Sequence, residues 1–181
     1  DPVHLRRHIG LVLQETFLFS ASVHENIAFG RPEATREQVR RAAELAQAAE
    51  FIEGMPYGYD QLIGERGIGL SGGQRQRIAI ARALLIDPAI VILDDATASV
   101  DLETEAAIQL GMKNLLQGRT AIVVAHRLSS LKAADEILVI DEGHIVQRGA
   151  HKHLVEGAGL YRDVYDIQYR DQEQVKASSA S

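Results

Sequence analysis

The sequence predicts an α/β fold with a mainly parallel sheet flanked by helices. Short apolar runs rich in β-branched residues alternate with longer segments of helical periodicity, which is typical of buried parallel strands joined by helices. The length of 181 residues is that of one ordinary domain, and 46% hydrophobic residues are enough to form a core. The predicted strands are residues 9–13, 89–93, 121–125 and 137–140.

Three segments have helical periodicity. Residues 36–47 place apolar side chains at i, i+3, i+4 and i+7, with Thr35 as a predicted N-cap. A second helix is predicted over 71–86, ended by Asp87-Pro88, and a third over 103–116, with acidic residues in its first turn. Because residues 23–69 contain no clear buried strand, the segment 23–86 is predicted to be a helical insertion between the first two strands.

The last part of the chain departs from this alternation. Residues 141–144 separate the apolar runs 137–140 and 145–146 and predict a hairpin turn. After Tyr169 the composition becomes polar, so residues 170–181 are predicted to be a disordered tail.

Composition excludes several classes of protein. The 19 Lys and Arg against 25 Asp and Glu give a net charge of −6, so no overall basic surface for nucleic acid is expected. Cysteine is absent, which excludes disulfides and thiolate metal sites. No apolar run approaches the roughly 20 residues that cross a bilayer, so the chain as given is predicted to be soluble.

Residues 70–74, Leu-Ser-Gly-Gly-Gln, stand where a loop becomes a helix. Ser71 and Gln74 have the spacing of a capping box, and capping alone is one interpretation. The alternative is a phosphate site. Two glycines in a first helical turn cost about 1 kcal/mol each relative to alanine, and they allow an anion to approach the free N–H groups of Gly72 and Gly73.

Polar side chains follow three of the predicted strands. Gln14 ends the first, Asp94 and Asp95 end the second, and His126 follows the third. In a doubly wound sheet ligands bind beyond the carboxyl ends of strands, so these residues predict a shared site. One carboxylate would hold Mg²⁺ and another would polarise water. Each residue alone has a structural alternative: a strand-end cap, a structural histidine, or an edge glutamine.

Taken in order, these motifs resemble the nucleotide-binding domain of an ATP-binding cassette (ABC) transporter. Gln14 matches the Q-loop, residues 70–74 match the LSGGQ signature without substitution, residues 90–95 match Walker B, 98–101 the D-loop, and His126 the switch histidine. The resemblance covers residues 1–169, which we interpret as a partial ABC ATPase domain. Within it, 23–86 is the helical subdomain, and 1–22 with 87–169 form the distal part of the catalytic core of a P-loop NTPase-like fold.

The resemblance implies two nucleotide sites in a head-to-tail dimer with a second cassette, identical or different. Ser71, Gly72, Gly73 and Gln74 would bind the partner's ATP. Gln14 and Asp94 would hold the Mg²⁺ of this chain's own site, with Asp95 as the catalytic base and His126 on the γ-phosphate.

Other segments resemble the exporter branch of the family. They are 17–20, 25–27, 64–67 and 159–161. In that branch Glu65 and Arg66 would contact the transmembrane domain, whereas the structural alternative is a solvated loop pair. The implied location is the cytoplasmic face of a membrane, as part of a larger membrane protein.

Two features depart from the family pattern. No Gly-Lys dipeptide occurs, so the P-loop (Walker A) is missing. We interpret this as N-terminal truncation and expect the isolated chain to be inactive. Asp95 stands where most members have the catalytic glutamate, and a carboxylate misplaced by about 1 Å can lower a rate about 10²-fold.

The sequence therefore predicts an ATPase cassette that couples ATP hydrolysis to export. The alternative is a weakly hydrolysing, nucleotide-gated half of an asymmetric heterodimeric exporter. A soluble ABC protein acting on ribosomes or DNA is disfavoured by the acidic charge and the exporter-like segments, and no nucleic-acid partner is expected.

Overall fold

The computed structural model of the protein describes residues 2–6, 8–14, 16–64, 67, 69–94, 102–125 and 128–179. The chain forms two compact units, Asp1–Val124 and Ala125–Ser181. In the described part of the chain, no helix is both long enough and apolar enough to cross a membrane.

The first unit has a three-stranded parallel sheet with helices between its strands, which confirms the predicted α/β class. The strands lie side by side in the order β1, β2, β3, with Val12 of β1 opposite Leu93 and Leu93 opposite Val123 of β3. In chain order the elements are α1 (Pro2–Arg6), β1 (Ile9–Val12), α2 (Val23–Ala28), α3 (Arg36–Leu45), α4 (Ala49–Glu53), a 3-10 turn (Gly58–Asp60), α5 (Gly72–Ile86), β2 (Ile90–Asp94), α6 (Leu102–Leu116) and β3 (Thr120–Val124). The strands β2 and β3 lie within one residue of their predicted bounds.

The sheet buries one face. Val12, Val91 and Leu93 are fully or almost fully buried, whereas Leu11 and Ile122 on the other face are 53% and 54% exposed. Helix α5 packs on the buried face, since a Cβ at Gly10 would lie 3.8 Å from the methyl of Ala83. The crossovers from β1 to β2 and from β2 to β3 run in the same direction across the sheet. Because crossovers between parallel strands are right-handed, both place their helices on the same face of the sheet.

The segment 23–86 is mainly helical in its described residues. Within the described residues of 23–86, the chain forms helices and, at Leu62, one isolated bridge to Ser22. Its core includes Ile27, Val39 and Ile52, which are fully buried. These side chains belong to one apolar cluster that also includes Val12 and Val91 of the sheet, and α5 continues from the helical segment to the sheet.

Among the described residues of this unit, three helices begin with a capping box. In each, the N-cap hydroxyl accepts the N–H of the third helical residue, whose side chain accepts the N–H of the N-cap. The pairs are Ser22 with Glu25, Thr35 with Gln38, and Ser71 with Gln74. The last two confirm the N-cap and the capping box predicted from sequence. Helix α5 ends at Asp87 in the left-handed conformation, just before Pro88.

The second unit contains an antiparallel hairpin and two helices. It consists of a 3-10 turn (Leu128–Leu131), β4 (Ile137–Asp141), β5 (His144–Gly149), α7 (His151–Glu156) and α8 (Leu160–Ser179). Glu142 and Gly143 both have positive φ, which fits the tight turn of a two-residue hairpin and confirms the predicted turn. A small core of Ile137, Leu154 and Tyr161 holds the unit together.

The predicted disorder of residues 170–181 is wrong over 170–179, because α8 continues to Ser179. The prediction rested on the polar composition of this segment, whereas the helix propensity of its residues favours a helix. Residues 170–176 read Arg-Asp-Gln-Glu-Gln-Val-Lys, and Arg, Gln, Glu and Lys are good helix formers. Residues 180 and 181 lie outside the described residues.

Candidate functional site

The Leu-Ser-Gly-Gly-Gln segment forms the start of α5. Ser71 is the N-cap, its hydroxyl accepts the Gln74 N–H at 3.2 Å, and the Gln74 side-chain oxygen accepts the Ser71 N–H at 2.9 Å. Ser71 and Gly72 are exposed. The capping interpretation is therefore correct, and it leaves Ser71 and Gly72 open to solvent, whereas Gly73 is buried.

The same helix end can receive an anion. The N–H groups of a first helical turn have no acceptor within the helix, and the helix dipole adds positive potential there. Among the described residues, no backbone acceptor is hydrogen-bonded to the Gly72 or Gly73 N–H. A Cβ at Gly72 would touch only the Arg75 guanidinium, at 3.9 Å. Phosphate oxygens could therefore approach the backbone here, as they do at other helix N-termini.

Arg75 and Gly67 fix the loop that precedes the signature. Arg75 Nη1 donates to the Leu70 carbonyl at 2.8 Å, which ties the loop to the first turn of α5. Gly67 has a φ of 80°, and a Cβ there would lie 2.7 Å from the Arg75 side chain. A left-handed backbone packed this closely against a side chain requires glycine.

Gln14 and Asp94 lie at the carboxyl ends of adjacent strands. Val12 of β1 is opposite Leu93 of β2, so Gln14 comes two residues beyond one strand partner and Asp94 one residue beyond the other. Gln14 is exposed and Asp94 is half-buried. The structure thus brings these two residues to one edge of the sheet, as the sequence predicts.

Their chemistry fits Mg²⁺. The ion prefers oxygen ligands and is usually held by one or two carboxylates together with substrate phosphates and water. Within the described residues, no group of three or more His, Cys, Asp and Glu side chains could hold a metal without such help. One carboxylate and one amide at a strand edge therefore suit an ion that arrives with a nucleotide.

Four predicted site residues lie outside the described residues. They are Glu65, Arg66, Asp95 and His126. Within the described residues, no hydrogen bond joins Ser71–Gln74 to Gln14 or Asp94.

A polar network joins the segment after Gln14 to α5. Asn26 is fully buried, and its side chain accepts the Phe19 N–H at 2.8 Å and donates to the Phe19 and Ser22 carbonyls at 3.0 Å. Arg82 of α5 donates to the Asn26 carbonyl at 2.8 Å, to its side-chain oxygen at 3.2 Å, and to the Phe17 carbonyl at 3.2 Å.

Aromatic rings flank this network. Phe19 stacks on Phe29 with ring centroids 4.2 Å apart, and the Arg82 guanidinium lies 5.6 Å and 5.7 Å from the two centroids. Burial lowers the pKa of Arg82 to about 10, so the group stays cationic at neutral pH. Hydrogen bonds to three carbonyl-type oxygens and two cation–π contacts offset its desolvation.

The family model described as ABC transporter matches residues 1–98, more than half of the chain. The chain belongs to the ABC transporter family.

Individual relatives agree with the family. An uncharacterized ABC transporter ATP-binding protein of Bacillus subtilis strain 168 is 58% identical over 167 residues, covering 92% of this chain. An ATP-dependent lipid A-core flippase of Shewanella sp. strain MR-4 is 54% identical over 166 residues, covering 91%. The solved structure of a bacterial Atm1-family ABC exporter with ATP bound superposes with a TM-score of 0.83 at 43% identity over 90% of this chain. The chain spans 28% of the length of each of these relatives.

Sequence reasoning about this ABC transporter chain missed the Asn26–Arg82 network. A signal was present, because Arg82 stands four residues after the buried Ile78 on the same helix. A cation on the buried stripe of a helix needs partners in the fold. The partners of Arg82 lie far from it in sequence, at Phe17 in an irregular segment and at Asn26 in α2, and no periodicity in the sequence marks them.

Proposed function

We propose that this chain is part of the ATP-hydrolysing cassette of an exporter-type ABC transporter. In that role, ATP hydrolysis at a cassette dimer interface is coupled to transport across a membrane. The observation that carries the proposal is the complete signature at the exposed N-terminus of α5, on a chain that belongs to this family. The named relatives support the exporter branch, since they include a flippase and an exporter.

The proposed mechanism divides this chain's residues between two ATP molecules. Ser71, Gly72, Gly73 and Gln74 present a hydroxyl, backbone N–H groups and a helix dipole to the nucleotide of a partner cassette. Such preorganised donors stabilise the charge that spreads over the transferred phosphoryl group. The open first turn of α5 supports this role, because the capping box satisfies the Gln74 N–H and leaves those of Gly72 and Gly73 outside it.

At this chain's own site, Gln14 and Asp94 would hold Mg²⁺, Asp95 would accept the proton of the attacking water, and His126 would contact the γ-phosphate. Bound Mg²⁺ supplies positive charge to the β- and γ-phosphates. The position of Gln14 and Asp94 at one sheet edge supports their assignment. Because γ-phosphate contacts exist only before hydrolysis, they can hold a dimer closed and then release it.

The proposed partners are a second cassette, identical or different, arranged head to tail, and a transmembrane domain. Glu65 and Arg66 are proposed to contact that domain, which places the cassette at the cytoplasmic face of the membrane. Two sites shared between two chains require this head-to-tail symmetry. The substrate moved would be selected by the membrane helices.

The test separates capping from nucleotide binding at Ser71. In the full-length protein that contains this sequence, Ser71→Ala and Thr35→Ala should each lower the free energy of unfolding by about 1 kcal/mol, since both remove an N-cap hydroxyl. Only Ser71→Ala should also lower steady-state ATPase activity, by at least about tenfold, the effect expected for losing one transition-state contact.

Equal ATPase rates for the two variants would contradict the nucleotide role of the signature. ATP retained for many catalytic cycles at the Asp95 site, measured by single-turnover trapping, would instead favour the nucleotide-gated binding module over a hydrolysing cassette.

A further inference from the structure

We infer that Arg82 is a positioning residue that couples the two nucleotide sites served by this chain, because it joins the segment after Gln14 to the signature helix α5. The inference rests on the proposed function, which assigns Gln14 to one ATP site and Ser71–Gln74 to the other. It concerns a residue that touches neither nucleotide.

The segment that Arg82 holds has little regular structure of its own. Residues 16–22 connect Gln14 to α2 without a helix or a strand longer than one bridge. Its backbone groups instead bond to the buried Asn26 side chain, which takes both the N–H and the carbonyl of Phe19. Asn26 therefore fixes the shape of this segment, and whatever holds Asn26 also holds the segment.

Arg82 attaches that folded segment to α5. Its guanidinium donates to the Phe17 carbonyl, three residues after Gln14, and to the carbonyl and side-chain oxygens of Asn26. The planar fork fits several acceptors at once, which a lysine ammonium on a flexible stem cannot reproduce. The neighbouring rings of Phe19 and Phe29 add two cation–π contacts to these hydrogen bonds.

Arg82 and the signature lie on one continuous helix. Helix α5 spans Gly72–Ile86 and its interior is well buried, so its two ends move together. A displacement of the Gln14 segment when ATP binds one site is therefore passed through Asn26 and Arg82 to Ser71 at the other site. Two sites that bias a shared rigid element are coupled, and the coupling is reciprocal in binding free energy.

A purely structural role for Arg82 predicts a different result. If Arg82 only filled a space in the fold, its loss would lower stability and leave the relation between the two sites unchanged. The chain offers a matched control in Arg119, whose side chain is 16% exposed. Arg119 donates to the Leu115 carbonyl and to the Asp87 carboxylate, both at 2.5 Å. It precedes the first residue of β3 and so lies at the end of the strand away from the proposed site.

The experiment measures the ATP dependence of hydrolysis in the full-length protein. The variants are Arg82→Met, Arg82→Lys and the control Arg119→Met, each with its unfolding temperature. We expect a wild-type Hill coefficient above 1 that falls to about 1 in Arg82→Met, with KM for ATP raised at least about fivefold, the lower range of allosteric coupling. Arg82→Lys should give an intermediate Hill coefficient, and Arg119→Met should keep the wild-type value.

Each outcome decides the matter. A Hill coefficient and KM in the Arg82 variants equal to those of wild type, or a wild-type coefficient of 1, would overturn the coupling. If Arg82→Met does not fold, Arg82→Lys decides, because it keeps the charge and most of the volume. Absence of ATP hydrolysis in the wild-type protein would overturn the proposed function itself, which is a separate result.

Discussion

Asp95, which we propose as the catalytic base, is one methylene shorter than a glutamate. The shorter side chain withdraws the carboxylate by about 1 Å, and a displacement of this size can lower the rate of a positioned reaction about 10²-fold. The difference lies in a single side chain, so it can be reversed by a single substitution.

We predict that Asp95→Glu raises the ATPase turnover of the full-length protein, by about tenfold or more, and that His126→Ala lowers it by a similar factor. The measurement is steady-state phosphate release at saturating ATP with Mg²⁺. Thr35→Ala serves as the control for loss of stability without loss of a nucleotide contact. Unchanged turnover in both variants would count against the assigned roles.

Sequence patterns predict the positions of some residues of the candidate site and not of others. The capping box of Ser71 and the strand-end positions of Gln14 and Asp94 could be predicted, because local spacing and strand order determine them. The role of Asn26 could not be predicted in this way. Its partners are backbone carbonyls of an irregular segment, and these acquire their positions only through tertiary packing.

Helix N-termini differ in their response to acid, although they share one geometry. In α2 the capping side chain is Glu25, and hydrogen bonds from the Ser22 backbone and hydroxyl hold the pKa of its carboxyl below the usual value. In α3 the corresponding residue is Gln38, which does not titrate. Because the pKa of Glu25 is lowered on folding, its contribution to stability is present above the unfolded pKa of 4.5 and is lost as the pH falls through the folded pKa.

The capping boxes of α2 and α3 can be tested by exchanging their capping side chains, glutamate for glutamine and glutamine for glutamate. Glu25→Gln should flatten the dependence of unfolding free energy on pH below about 5, because it removes a titrating cap from α2, and Gln38→Glu should steepen it, because it adds one to α3. Chemical denaturation between pH 7 and pH 3 measures both. Parallel pH profiles for wild type and Glu25→Gln would show that this cap does not contribute.

The elements themselves follow from local rules in most of the chain. The bounds of β2 and β3 agree with the predicted ones to within one residue, since β-branched apolar runs define a strand well. The predicted burial is wrong for β3, which is largely exposed. Helix α8 is not among the predicted helices, and its residues 170–179 are predicted to be disordered, because polar composition alone does not distinguish a disordered tail from an exposed helix. The helix propensity of residues 170–176 is the signal that favours a helix there.

The whole chain divides its apolar core unequally. The first unit buries a continuous cluster that includes Ile78, Val91 and Ile108, whereas the second is held by Ile137, Leu154 and Tyr161. In the second unit the Tyr161 hydroxyl lies 2.7 Å from His151 Nδ1, and Arg148 pairs with Glu136 at 2.7 Å. Regions with fewer buried apolar contacts open at lower free energy.

We therefore predict that the two units exchange amide hydrogens at different free energies of opening. Amides of β2 should exchange near the free energy of global unfolding, and those of β4 and β5 at a value lower by at least about 1 kcal/mol. Hydrogen exchange followed by mass spectrometry in increasing denaturant gives both values. Protection factors that coincide for β2 and the hairpin would mean that the chain opens as one cooperative unit.

Because α5 is long, a small rotation at Arg82 becomes a large displacement at Ser71. Ser71 and Arg82 are separated along the helix axis by about 16 Å at 1.5 Å per residue. A rotation of only about 5° about a pivot at Arg82 would swing Ser71 through roughly 1.4 Å, more than the 1 Å error that can slow a positioned reaction about 10²-fold. A small rotation of α5 at its attachment to Arg82 is thus magnified at the end of the helix that would face the nucleotide.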